Sequence, residues 1–155
     1  MPNRPAPHFA LSTGLAFLAG FLAVLIFHQG AVGILHAFSA APAPFNLTPR
    51  APFDVPAVVS AAFWGGLWAI ALAFVVRRLT GLPYWLTALL FGALALSAAG
   101  WFVVGPIKGR PPELQLSRVM ISFAVNGAWG IGTAILFRLF RVLFRSFRQT
   151  PPLWA

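Results

Sequence analysis

Polar and apolar positions in this chain do not alternate; they segregate into blocks. Four stretches, roughly 9–35, 56–76, 83–104 and 119–137, contain no Asp, Glu, Lys or Arg. A bilayer core about 30 Å thick takes roughly 20 apolar residues at 1.5 Å rise each, so every block predicts a membrane-spanning helix. Little chain is left for anything else. The pattern predicts an all-α integral membrane protein, a four-transmembrane-helix bundle forming a single domain over residues 1–155.

The first block is the longest. Phe9 to Phe38 as one helix would measure about 45 Å, which predicts a tilt, a break near Gly30 and Gly33, or a projection beyond the membrane. Pro42, Pro44, Pro49 and Pro52 make the stretch from Ser39 to Val55 an extended surface loop. Asp54, Val55 and Pro56 then read as a helix start with proline in the first turn. In the turn from Arg77 to Pro83, Gly81 and Pro83 stop one helix and begin the next. That places Tyr84 and Trp85 at an interfacial aromatic belt. Gly105-Pro106 closes the third span ahead of a basic turn with Lys108 and Arg110.

Past the fourth span, residues of about 138–148 read as an amphipathic helix. Arg138, Arg141, Arg145 and Arg148 fall within about an 80° arc, beside a stripe of Phe137, Phe140, Phe144 and Phe147. An internal echo links spans 2 and 4: Gly66, Trp68, Ile70, Ala73 and Arg77 match Gly127, Trp129, Ile131, Ala134 and Arg138 at a constant offset of 61 residues. It is read either as two repeated helical hairpins, related by an axis along the membrane normal, or as chance similarity between low-complexity apolar helices.

Composition sharpens this picture. The chain is 59% hydrophobic and 8% charged, against about 25% charged in soluble domains, which argues against a water-soluble fold. The absence of cysteine excludes disulfides, thiolate metal sites, iron–sulfur clusters and covalent haem attachment. The net charge of +9 suggests nucleic acid, but its distribution does not. With four spans, Arg4, Arg77, Arg78, Arg138, Arg141, Arg145 and Arg148 share one side. Arg50, Lys108, Arg110 and Arg118 share the other with both acids, Asp54 and Glu113. The positive-inside rule then puts both termini in the cytoplasm. The first block is longer than the 7–15 residues of a signal-peptide core and reads as a retained span, although small residues near Ala37, Ser39 and Ala40 resemble a cleavage site. One Lys against ten Arg, with abundant Ala, Gly and Pro, fits a GC-rich bacterial gene and hence an inner-membrane location.

Chemistry is sparse. Small residues at helical spacing (Ala16/Gly20, Ala62/Gly66, Ala88/Gly92 and Ala124/Ala128/Gly132) predict close helix packing, with Gly66 and Gly127 among the contact residues. Trp64, Trp68 and Trp129 lie deep in their spans, where an indole N–H wants a partner; Ser60 and Asn126, each one turn earlier, are candidate acceptors. These tryptophans either pack the bundle or present flat faces to an apolar ligand such as a quinone tail or pigment. Asn126 is the strongest polar side chain within a span and is read as an interhelical hydrogen-bonding residue.

No Asp, Glu, Lys or Arg lies inside a span, which removes the usual proton relay. His28 and His36, about 80° apart on one helix, read as an interfacial polar cluster or, with Asp54 or Glu113, a weak metal site. The four arginines of the tail suit anionic headgroups or an acidic partner subunit. Two acids and three histidines build no paired-carboxylate or triad site, and Gly105–Gly109 lacks the spacing of a phosphate-binding loop. No cofactor is expected.

The runs Phe63-Trp64-Gly65-Gly66-Leu67-Trp68, Gly105-Pro106-Ile107-Lys108-Gly109-Arg110-Pro111 and Asn126-Gly127-Ala128-Trp129-Gly130 resemble those of small, uncharacterised proteobacterial inner-membrane proteins. That resemblance implies a four-span fold and no activity. The expectation is a non-catalytic structural or accessory subunit of a larger inner-membrane complex, with a respiratory or photosynthetic host as one option. Its expected partners are membrane lipids and other membrane subunits or further copies of itself, not nucleic acid. The alternative is a transporter or channel component acting as a homo-oligomer.

Overall fold

The computed structural model describes residues 7–50, 53–109, 111–112 and 114–149, with side chains described from Leu11 to Phe144. Four helices dominate. Helix α1 (7–37) is α-helical over Pro7–Ala23 and Gln29–Ala37, with a π-helical turn at Val24–His28 between them. A two-residue hairpin follows, β1 (Pro49–Arg50) against β2 (Val55–Pro56), antiparallel with Pro49 opposite Pro56. Then come α2 (Ala57–Val76), α3 (Gly81–Ile107) and α4 (Leu116–Gln149). All four helices are long and apolar enough to cross a bilayer.

Helix α1 does not break at Gly30 or Gly33. Its irregularity lies a turn earlier, where one wide π turn keeps the backbone bonded. It ends with Ser39 in the left-handed region at φ 56°. The Ser39 N–H donates to the His36 carbonyl (2.8 Å) and the Ala40 N–H to that of Leu35 (2.9 Å). That is the Schellman pattern, with serine standing where glycine is usual.

The proline-rich loop is more ordered than its composition predicts. The Gln29 side-chain oxygen accepts the Phe45 N–H at 2.6 Å. The Asn46 and Thr48 carbonyls accept the N–H groups of Val58 and Ala57, both at 3.0 Å, so the loop caps α2. Pro56 is extended (φ −51°, ψ 138°) and stands just outside the helix rather than in its first turn. Helix α3 begins at Gly81, two residues before Pro83, and carries two further π turns, Phe91–Leu96 and Gly100–Val104. The second immediately precedes Pro106, whose ring crowds the carbonyl four residues back and whose missing N–H leaves a gap in the ladder. A wider turn relieves both. Helix α4 is unbroken from Leu116 to Gln149, so residues 138–148 carry the fourth span onward as one helix.

Helices α1 and α4 form the centre, with α2 flanking α1 and α3 flanking α4. Helices α2 and α3 touch only lightly, mainly near their connecting turn and where Trp68 meets Phe91 edge-on at 5.9 Å. A two-fold relation between hairpins would make the α1–α4 and α2–α3 contacts equivalent. They are not, so the sequence echo is not matched by symmetric packing. The core is built from Ala16, Ala19, Ala23, Ala62, Ala69, Leu72, Ala88 and Trp129, all at most 1% exposed.

Candidate functional site

Small residues set how closely the helices approach. Gly20 of α1 faces Gly65 and Ala69 of α2 so tightly that a Cβ on Gly20 would overlap the Gly65 carbonyl. On the other side, Gly92 of α3 meets the Asn126 carbonyl and Gly130 of α4 meets the Ala88 carbonyl, again with no room for a methyl group. Gly66 lies beneath the Phe17 ring and Gly127 against Leu89, looser contacts with movable side chains. Of the predicted stripes, Ala16/Gly20, Ala62/Gly66 and Ala88/Gly92 are buried. Ala124 is exposed: the inward face of α4 runs instead through Val125, Trp129, Thr133 and Phe137.

Side-chain hydrogen bonds among the described residues tie the helices together at Trp129, Asn126 and Tyr84. Trp129, wholly buried, donates its indole N–H to the Gly20 carbonyl at 3.1 Å. A helical carbonyl has a second lone pair, so this need not disturb the ladder. Asn126 donates from Nδ2 to the Ser97 hydroxyl at 2.9 Å, and the Tyr84 hydroxyl donates to the Ala134 carbonyl at 2.9 Å. Asn126 thus serves Ser97, not Trp129. Tyr84, read from sequence as an interfacial belt residue, is buried instead; Ser97, Gly65 and Gly130 had no assigned contact, because each matters only through a partner far away in the chain. Thr133 is buried and its hydroxyl has no partner among the described residues; it lines a void of about 10 Å³ beside Tyr84 and Phe137.

The three deep tryptophans do not share a site. Trp129 is enclosed by protein, leaving no face for a ligand. Trp68 is half-buried against Phe91. Trp64 points away from the bundle, 59% exposed, with only Phe63 beside it at 6.0 Å. The Ser60 hydroxyl does not bond it, and its N–H has no acceptor among the described residues.

The histidines also part company. Nδ1 of His28 lies 3.3 Å from Nε2 of Gln29, and Nδ1 of His36 lies 3.0 Å from the Ala41 carbonyl. Among the described residues no three His, Asp or Glu side chains group as metal ligands would. Glu113 lies outside the described residues, as do the side chains of Arg145 and Arg148.

Two regions of the surface are concave. At the loop end, a cleft of about 380 Å³ lies between Ala41, Pro42, Trp101, Pro112, Arg118 and Ser122. At the opposite end, Arg77, Arg138 and Arg141 line a cleft of about 350 Å³ with Thr80 and Tyr84. The echo's paired arginines, Arg77 and Arg138, therefore meet in space.

The chain matches no known protein family, no curated protein and no solved structure.

Proposed function

We infer that this chain is a non-catalytic subunit of a larger complex in a bacterial inner membrane, with both termini cytoplasmic, acting through the outward faces of its helices. The observation that carries the reading is Trp64. It lies seven residues, about 10 Å, into α2. There its indole is largely exposed on the outside of the bundle, and its N–H makes no hydrogen bond among the described residues. In hydrocarbon an unmet polar N–H costs several kcal/mol, and buried indoles normally find a partner. An acceptor on a neighbouring transmembrane segment removes that cost. The flanking Phe63 and Leu67, also exposed, extend the same face. Two features support a structural role over a transport role for the single bundle: Trp129 fills the centre, and no Asp, Glu, Lys or Arg lies in the middle of a span.

The test is a photo-reactive phenylalanine analogue at position 64, activated in native membranes, with mass spectrometry of the products. A discrete cross-link to another membrane protein is the expected result. A cross-link to a second copy of this chain would replace the reading with the homo-oligomeric transporter or channel alternative. Cross-links to lipid alone would overturn both.

A further inference from the structure

The arginine-rich end of the bundle holds more than a topology signal. Arg77, the last residue before the α2–α3 turn, converges with Arg138 and Arg141 of α4 on one cleft, whose remaining polar groups are Thr80 and Tyr84. A second cleft, about 270 Å³, opens from the same place and shares Arg77, Phe137 and Arg141. It runs along the α1–α2 side past Ala16, Ile70, Ala73 and Phe74. One half is cationic and the other is mainly apolar.

The charges are held but not neutralised. The Arg77 guanidinium sits over the Phe74 ring at 4.0 Å, that of Arg138 lies 5.5 and 5.6 Å from the Tyr84 and Trp85 rings, and that of Arg141 lies 5.7 Å from Phe137. Aromatic faces fix the position of a guanidinium without cancelling its charge. Among the described residues the single acid is Asp54, in the loop at the far end of α2. Three cations gathered at a membrane boundary, where the effective dielectric is well below that of water, repel one another unless an anion sits between them. Guanidinium forks match phosphate oxygens in geometry.

We propose that this end of the bundle binds one anionic phospholipid. Its phosphate lies among Arg77, Arg138 and Arg141, and an acyl chain lies along the groove past Ile70, Ala73 and Phe74. The apolar arm favours a lipid over a soluble phosphate, because a free anion would use only the cationic cleft. Basic pockets between transmembrane helices are a recognised setting for such headgroups.

Native mass spectrometry of the full chain in mild detergent tests this, titrating phosphatidylglycerol, phosphatidylcholine and inorganic phosphate separately. The expected result is one retained phosphatidylglycerol with little phosphatidylcholine. Retention should fall about fivefold or more on Arg77→Gln or Arg141→Gln. Arg78→Gln, which removes the same charge next door but lines neither cleft, should change it less than twofold. Ala73→Leu, which narrows the apolar groove, should weaken lipid retention and leave inorganic phosphate unaffected. Equal losses for Arg78→Gln and Arg77→Gln would reduce the effect to diffuse surface charge and overturn the site. Phosphate binding as tight as lipid binding, with no response to Ala73→Leu, would overturn the lipid assignment in favour of a soluble anion.

Discussion

Gly130→Ala isolates the contact on which the α3–α4 interface depends. The new methyl group would land almost on the Ala88 carbonyl oxygen, with Gly92 Cα 3.3 Å away. Both are backbone, so no side chain can swing aside and the helices must separate. Overpacking of this kind costs about 1–3 kcal/mol. Separation also reaches further, because the Asn126–Ser97 and Tyr84–Ala134 bonds lie one turn to either side, each at 2.9 Å. A shift of well under 1 Å takes both past hydrogen-bonding distance, and interhelical bonds in membranes average about 0.6 kcal/mol each. The expected destabilisation is therefore about 2–4 kcal/mol. Gly14→Ala is the control: nothing lies within 4 Å of its added methyl, and higher helix propensity makes it neutral or stabilising by up to about 1 kcal/mol. Reversible unfolding in mixed micelles, followed by helical circular dichroism, measures both. If Gly130→Ala fell within about 0.5 kcal/mol of Gly14→Ala, the close approach of α3 and α4 would be refuted.

Trp129→Phe keeps most of the ring but removes the N–H that reaches Gly20, so it should cost about 1–2 kcal/mol in the same assay; an unchanged midpoint would mean the bond contributes nothing. Thr133→Val replaces an unpartnered buried hydroxyl with a methyl of nearly the same size. It should stabilise by about 1 kcal/mol, whereas a loss of stability would show that the hydroxyl is satisfied. Ser39→Gly relieves a left-handed side-chain residue at the end of α1 and should raise stability by about 1 kcal/mol; a decrease would refute the cap geometry.

The spans were legible because a hydrocarbon solvent demands only length and apolarity, and both are local. Which face of each helix turns inward was much less legible. Lipid and protein interior are equally apolar, so the pattern that marks the buried side of a soluble helix is missing. Trp64 and Trp68, one turn apart, look alike in sequence, yet one faces outward and the other packs on Phe91. Small residues carried part of the missing information: the predicted stripes of α1, α2 and α3 lie at interfaces, while in α4 Gly132 packs against Phe27 and Ala124 stays outside. The π turn before Pro106 had a visible cause, whereas those at Val24–His28 and Phe91–Leu96 had no local signal. The cleft at Arg77 was hidden for another reason. It joins residues of α2 to residues of α4 more than 60 positions later; span counting put these arginines on one side, but nothing local showed that they would meet.

The side-chain bonds made by Trp129, Asn126 and Tyr84 have a common member, since Trp129, Asn126 and the acceptor of Tyr84 all belong to α4. During synthesis α4 follows the other three helices, so a nascent chain holding only α1 to α3 has none of these ties. The Gly20 carbonyl, Ser97 and the Tyr84 hydroxyl then wait in the bilayer for a helix still in the ribosome. The earlier hairpin is held by the Gly20–Gly65 contact and by the loop's hydrogen bonds to Gln29 and to the start of α2, and α3 has only light contact with it. Final assembly of this bundle is thus a single late event, in which one arriving helix locks both halves at once. A translation arrest before α4 would leave a loose, protease-sensitive trio rather than three-quarters of a folded protein.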